Sequence, residues 1–248
     1  MITVLINGCC GKMGQEVIKQ LECLDNFEIL MGVDRIDTGN NKFPVYTNIE
    51  EINDIPDVII DFSIPEATFK ILEFANKNKV PTVIATTGFT DTEIEKIKEY
   101  SKNIPIFKSA NMSFEINLMA KIVSQMAALL PDSDIEIVES HHNKKIDAPS
   151  GTALLLADSI NNSLDNSMTY EYDRHSKREK RTKNEIGIHS IRGGNIVGSH
   201  SVLFFSNDES FEITHNVTSR SVFAKGAIKA TEFLVGKSAG MYDMNDLL

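Results

Sequence analysis

The chain has 248 residues, 42% of them hydrophobic and 24% charged, and a formal net charge of -10 at pH 7, a composition that excludes a disordered or fibrous chain and leaves room for a large core. The acidic balance argues against a nucleic-acid binder, which needs a basic face to neutralise phosphates. No apolar run approaches the roughly 18 residues of a membrane span, and the chain does not open with a basic stretch feeding a sustained apolar run, so the expectation is a cytoplasmic protein without nucleic-acid or membrane partners.

In chain order, the first hundred or so residues alternate β-branched runs with amphipathic stretches, as parallel βαβ units do. Strands are predicted at 2–7, 27–33, 58–61, 82–85 and 105–107. A helix over 11–24 places Met13, Val17, Leu21 and Leu24 on one face, and one over 67–78 gathers Ile71, Leu72 and Ala75. A third, over 90–101, starts with Thr90 and Glu93 at the spacing of a capping box. These elements make a doubly wound parallel sheet.

The pattern changes after about Asn111. A long helix is predicted over 114–130, then a strand over 134–140 with Ile135, Ile137 and Glu139 on one face, a polar loop, and a helix over 152–162. Strand-like runs at 186–192, 196–206 and 211–217 follow without helices between them, so this half is α+β with a mostly antiparallel or mixed sheet. A last helix over 222–235 carries Phe223, Ala227, Ala230 and Leu234 on a core-facing stripe. The basic stretch 174–183 has no interleaved aromatic residue for base stacking and reads as a solvated face.

Gly8, Gly11 and Gly14 follow the first strand and open a helix, which is the setting of a dinucleotide loop. Their spacing differs from the commoner Gly-x-Gly-x-x-Gly, but Asp34 ends the next strand about 20 residues beyond Gly14, where a carboxylate can take the adenosine ribose hydroxyls. Arg35 beside it can pair with a 2′-phosphate, so NADH and NADPH both remain open. Cys9 and Cys10 fill the loop; with Cys23 they make an odd count without metal-ligand spacing, which suits reduced thiols and no metal. Ala85-Thr86-Thr87-Gly88 and Ser109-Ala110-Asn111-Met112 follow later strands, at the end of the sheet where a nicotinamide and its ribose would bind.

The densest chemistry lies in residues 139–153, Glu-Ser-His-His-Asn-Lys-Lys-Ile-Asp-Ala-Pro-Ser-Gly-Thr-Ala. Two histidines and two lysines supply proton donors and cations, and Ser150-Gly151-Thr152 sits at a helix start whose free N–H groups attract anions, so an anionic carboxylate substrate is implied.

This segment closely resembles the signature of 4-hydroxy-tetrahydrodipicolinate reductases, and the resemblance extends to the loop at Gly8–Gly14, Ala85-Thr86-Thr87-Gly88, Arg192-Gly193-Gly194-Asn195-Ile196-Val197-Gly198 and Gly240-Met241-Tyr242-Asp243-Met244. It implies a Rossmann-type dinucleotide-binding domain at 1–112 and 223–248, and a substrate-binding and tetramerisation domain at 113–222. It also implies reduction of a cyclic dicarboxylate by NADH or NADPH on the diaminopimelate route to lysine, in a homotetramer. Hydride would reach C4 of the ring after loss of the 4-hydroxyl, and a proton the neighbouring carbon. Carried over by position, His141 is the proton donor with Lys145 as partner, and His142, Lys145, Ser150, Gly151 and Thr152 hold the substrate. The coenzyme would lie along Gly8, Cys9, Cys10, Gly11, Lys12, Met13, Asp34, Arg35, Ala85, Thr86, Thr87, Ser109, Ala110, Asn111 and Met112. Ala85 and Met112 stand where many members carry Gly and Phe, which bears on coenzyme preference.

Overall fold

The computed structural model describes residues 1–248. The chain begins with β1 (Ile2–Asn7), α1 (Lys12–Leu21), β2 (Phe27–Val33), β3 (Val45–Tyr46), β4 (Val58–Asp61), α2 (Pro65–Asn78), β5 (Thr82–Ile84), α3 (Asp91–Ser101) and β6 (Pro105–Lys108). It continues with α4 (Phe114–Leu129), β7 (Asp134–His141), α5 (Gly151–Ser163), β8 (Thr169–Glu171), β9 (Glu185–Arg192), β10 (Gly198–Phe205) and β11 (Ser210–Val217), then closes with α6 (Ser221–Leu234) and β12 (Gly240–Tyr242).

The elements fall into two compact units, Met1–Ser113 with Arg220–Leu248, and Phe114–Ser219. In the first, seven parallel strands run in the order β12-β6-β5-β4-β1-β2-β3. The order reverses between β1 and β4, which opens a crevice at their carboxyl ends. Central strands buried on both faces need continuous apolar runs, and Val4, Leu5, Ile6, Val58, Ile59 and Ile60 are fully buried. α1 and α6 pack on one face around Val17, Leu21, Ala227 and Leu234, while Ile71, Leu72 and Ile97 cover the other. Thr90 caps α3 in the predicted capping box. At Gly226 a Cβ would overlap the Met112 carbonyl oxygen, so only glycine lets α6 approach the β6 exit this closely.

The short strands β3 and β12 escaped the periodicity reading because two or three residues carry no period. α1 stops at Leu21, before the predicted Leu24, and α2 begins two residues early because Pro65 presets the first helical φ.

The second unit is a mixed sheet in the order β11-β10-β7-β9-β8, antiparallel across β11-β10-β7 and parallel across β7-β9-β8. α4 and α5 cover one face, packing Val123, Ala127, Leu156 and Ile160 on Ile135, Ile137, Val202 and Phe204. The basic stretch is for the most part the solvated face that composition suggested, with Lys177, Arg178, Lys180 and Lys183 exposed, but Arg181 turns inward. Arg181, 16% exposed, donates to Asp134 Oδ1 (2.8 Å), Glu136 Oε1 (3.1 Å) and the Ile135 and Glu185 carbonyls, and Arg174 and Lys177 pair with Glu185 and Glu171. The acceptors for this clamp come from β7, β8 and β9, so no local pattern within 174–183 announces it. No helix is long and apolar enough to cross a membrane.

Candidate functional site

In the first unit, the chain leaves β1 at Gly8 with φ +81°, and a Cβ there would overlap the Phe62 carbonyl oxygen. Gly14 packs equally tightly on Gly8, so the loop is seated directly on the β4 exit. Gly11 N-caps α1 without a side-chain bond, and the first turn carries no acid. The Gly11 N–H donates to the Gly8 carbonyl (3.1 Å), so the helix start presents the orphan N–H groups of Lys12 and Met13 and the positive end of the helix dipole, which fits a pyrophosphate. The Asp34 carboxylate accepts from the Cys10 N–H (2.8 Å) and the Arg35 N–H (2.7 Å), which brings the exit of β2 to the glycine loop; the Arg35 side chain is exposed.

Asp61, which no motif in the sequence marks, organises the floor of this half. It is fully buried, and its carboxylate accepts from Asn7 Nδ2 (2.8 Å), Ser63 Oγ (2.5 Å), Thr68 Oγ1 (2.5 Å) and Thr86 Oγ1 (3.1 Å). Burial pushes this carboxyl up, and the four hydrogen bonds oppose it. The Thr86 hydroxyl is thereby committed, accepting from the Ser63 N–H as well, whereas Thr87 is exposed and Ala85 half-buried. Ser109 Oγ donates to the Asn111 carbonyl, and the Met112 side chain is buried in the core; Ala110 is exposed.

In the second unit the site grows from the register of the sheet. Alternate β7 residues Ile135, Ile137, Glu139 and His141 share the covered face, and Phe204, Val202 and His200 stand opposite the first three on β10. One end of this face is thus aliphatic and the other polar. The Glu139 side chain is 0% exposed, and a buried carboxylate needs partners. Arg192 closes a bidentate pair on it (2.7 and 2.8 Å), His141 Nδ1 lies 2.6 Å from Oε2, and the Ser150 N–H donates to Oε1 (3.1 Å). Burial alone would raise this carboxyl; the bonds from Arg192 and His141 outweigh it and hold it at about 2. With Glu139 ionised, the assigned His141 proton sits on Nδ1, leaving Nε2 as the outward nitrogen. Gly198 makes room for it, since a Cβ there would lie 3.1 Å from Nε2.

His200 packs edge-on against His141 (centroids 5.1 Å apart), and its Nε2 is 3.1 Å from Ser150 Oγ. Burial and, second, the charge of His141 push it down to about 4, so it is neutral at neutral pH. Ser150 also N-caps α5, accepting from the Ala153 N–H at 3.2 Å, with Gly151 exposed and Thr152 half-buried in the first turn. The turn after β7 is closed by the Lys145 N–H donating to the His142 carbonyl (3.1 Å). Lys145 Nζ pairs with Asp147 Oδ1 at 2.9 Å, an exposed carboxylate that an incoming anion can replace. His142 Nδ1, His200 Nδ1 and Arg192 Nε are buried without partners.

This unit therefore assembles His141, Ser150 and α5 around a group sequence reasoning left without a role, Glu139, held by Arg192 and neighboured by His200. One signal was legible: a glutamate in phase with Ile135 and Ile137 on a buried face must be paired.

The models for the N-terminus and C-terminus of dihydrodipicolinate reductase match residues 2–112 and 115–248. The chain is 49% identical over 248 residues to the 4-hydroxy-tetrahydrodipicolinate reductase of Caldanaerobacter subterraneus subsp. tengcongensis, covering 100% of this chain and 98% of that one. It is 47% identical to that of Clostridium tetani, covering 100% and 97%. The structure superposes with a TM-score of 0.84 on a dipicolinate-bound dihydrodipicolinate reductase from Paenisporosarcina sp. TG-14, at 29% identity and with 100% of both chains covered. Matched in both halves and from end to end, the chain belongs to the dihydrodipicolinate reductase family.

Proposed function

We propose that the two units divide one reduction between them, the first holding NADH or NADPH along the β1 loop and the second holding a small dicarboxylate and supplying a proton. The reaction is the reduction of 4-hydroxy-tetrahydrodipicolinate to tetrahydrodipicolinate, on the diaminopimelate route to lysine, by an oxidoreductase of this family. The dinucleotide, when bound, supplies the hydride. The loop Gly8, Cys9, Cys10, Gly11, Lys12 and Met13 borders its pyrophosphate, with the N–H groups of Lys12 and Met13 as the donors at the helix start, Asp34 and Arg35 face its adenosine ribose, and the segments at Ala85–Thr87 and Ser109–Met112 border its nicotinamide end. Asp34 accepts ribose hydroxyls but repels a 2′-phosphate that Arg35 attracts, so both coenzymes serve, NADH at least as well.

Lys145 and the α5 start at Ser150, Gly151 and Thr152, with His142, bind the carboxylates; dipicolinate in the related structure is a dicarboxylate of this class. Glu139 fixes the His141 ring, so protonated His141 delivers its Nε2 proton to the ring carbon beside the one that is reduced. Lys145 also stabilises charge developing on the ring. The observation that carries this reading is the fully buried Glu139, 2.6 Å from His141 and clamped by Arg192 beside the start of α5.

The sheet face away from α4 and α5 presents Val138, Leu203, Ser201 and Thr214, a surface suited to the sheet-to-sheet contact of a homotetramer.

The test is a pair of variants. His141→Gln should lower turnover by roughly 10²- to 10⁴-fold with little change in substrate KM. Lys145→Ala should lower turnover and raise KM, and NADH affinity, read by fluorescence titration, should hold in both. A folded His141→Gln enzyme with wild-type turnover and rate-limiting chemistry would refute the assignment.

A further inference from the structure

The turns that leave β1 and β2 bring three ligand-type atoms together. Cys9 Sγ and Cys10 Sγ are 3.8 Å apart, and with an Asp34 carboxylate oxygen all three lie within 4.8 Å of one another. The carboxylate is tethered to the thiol loop by the Cys10 N–H at 2.8 Å. Cys9 is fully buried against Gly32, where a Cβ would come within 2.9 Å of the Cys9 Cβ, so its thiol has one seat; Cys10 is half-exposed and gives access.

Zinc binds thiolate at about 2.3 Å, and two such bonds at a tetrahedral angle hold their sulfurs about 3.8 Å apart. The thiol pair already has that separation, and the carboxylate need close by only about 1 Å to complete a third bond. We propose that Cys9, Cys10 and Asp34 form a binding site for a thiophilic divalent cation of the Zn²⁺ or Cd²⁺ class, with water as the fourth ligand. Thiolate sulfur disfavours Mg²⁺ and Ca²⁺, so the site discriminates by softness.

Thiolate ligation is an exchange: the cation gains two thiolates and the carboxylate, and the two thiol protons leave to solvent. Affinity should therefore fall by up to about a hundredfold per unit of falling pH. Because Asp34 and the Cys9-Cys10 backbone also face the coenzyme, a bound cation excludes the dinucleotide; that consequence rests on the function proposed for this loop, whereas the metal site does not.

The experiment is a titration of the reduced, full-length protein with Cd²⁺, read by thiolate-to-metal charge-transfer absorption, which histidine ligands do not produce. One equivalent should saturate the band. Cys23→Ser should leave it unchanged, Cys9→Ser or Cys10→Ser should remove most of it while circular dichroism shows a folded chain, and Asp34→Asn should weaken binding at least tenfold. NADH binding to the metal-free protein is measured first by fluorescence. If it binds, adding it should bleach the band; equal NADH affinity with and without Cd²⁺ overturns the exclusion. If NADH does not bind, the coenzyme assignment fails and the band alone decides the metal site. No band at one equivalent, or a band that survives both cysteine substitutions, overturns the site.

Discussion

Replacing Glu139 by Gln removes one charge from the most enclosed point of the second unit, where the side chain is 0% exposed. Arg192, 20% exposed, then loses a bidentate partner, and His141 loses the carboxylate that fixes its ring. Breaking a buried pair from one side costs about 3–5 kcal/mol, and the partial exposure of Arg192 places this case near about 3 kcal/mol. The acidity of Glu139 leads to the same size independently. Held at about 2 against an ordinary 4.5, it contributes about 3 kcal/mol, present in full above the unfolded value and lost as pH falls through 4.5 towards 2. Gln does not titrate, so the variant should lack that acid-dependent segment. Turnover should fall by roughly 10²- to 10⁴-fold, because His141, the proposed proton donor, is no longer held in one orientation and tautomer. Urea unfolding followed by amide exchange in β7 and β9 measures the first effect, and steady-state kinetics the second. A variant with wild-type turnover and a stability within about 0.5 kcal/mol of the parent, well below the predicted loss, would refute the reasoning.

His200, buried and held at about 4 instead of 6.5, must stay neutral to fold, so stability should drop by about 3 kcal/mol as pH falls from 6.5 to 4. His200→Asn should flatten that slope in thermal melts recorded across the range. Arg181→Ala should destabilise the second unit by roughly 2–4 kcal/mol by leaving the Asp134 and Glu136 carboxylates and two carbonyls unpaired, while Lys180→Ala stays within about 0.5 kcal/mol; urea midpoints distinguish them. Arg35→Ala should raise the KM for NADPH much more than that for NADH, as initial rates with each coenzyme will read.

The parallel sheet was legible because burial on both faces writes itself into runs such as Val4-Leu5-Ile6 and Val58-Ile59-Ile60, and Thr90 with Glu93 marked its helix start. β3, β8 and β12 were not legible, since their two or three residues lack the apolar β-branched run that marked the equally short β5. At the site, local spacing exposed His141, Lys145 and Ser150, which share one segment. Arg192 and His200 reach Glu139 only through the β7-β9 and β7-β10 registers, and Asp61 meets Asn7 only through the β1-β4 register; pairings across more than 50 residues leave no periodic trace. The Arg181 clamp failed to show for the same reason, its acceptors lying on strands outside the basic stretch.

Hydride transfer from a nicotinamide coenzyme to a cyclic dicarboxylate, with His141 as the proposed proton donor, is open to direct measurement. The most direct measurement generates the substrate in place, with the upstream synthase acting on pyruvate and aspartate semialdehyde, and follows oxidation of NADH and of NADPH separately in wild-type and His141→Gln protein. Synthase-dependent oxidation of both coenzymes is expected of the wild type, inhibited competitively by dipicolinate and slowed at least about a hundredfold by the substitution. No synthase-dependent oxidation with either coenzyme, or equal rates in the two proteins with chemistry limiting, would contradict it.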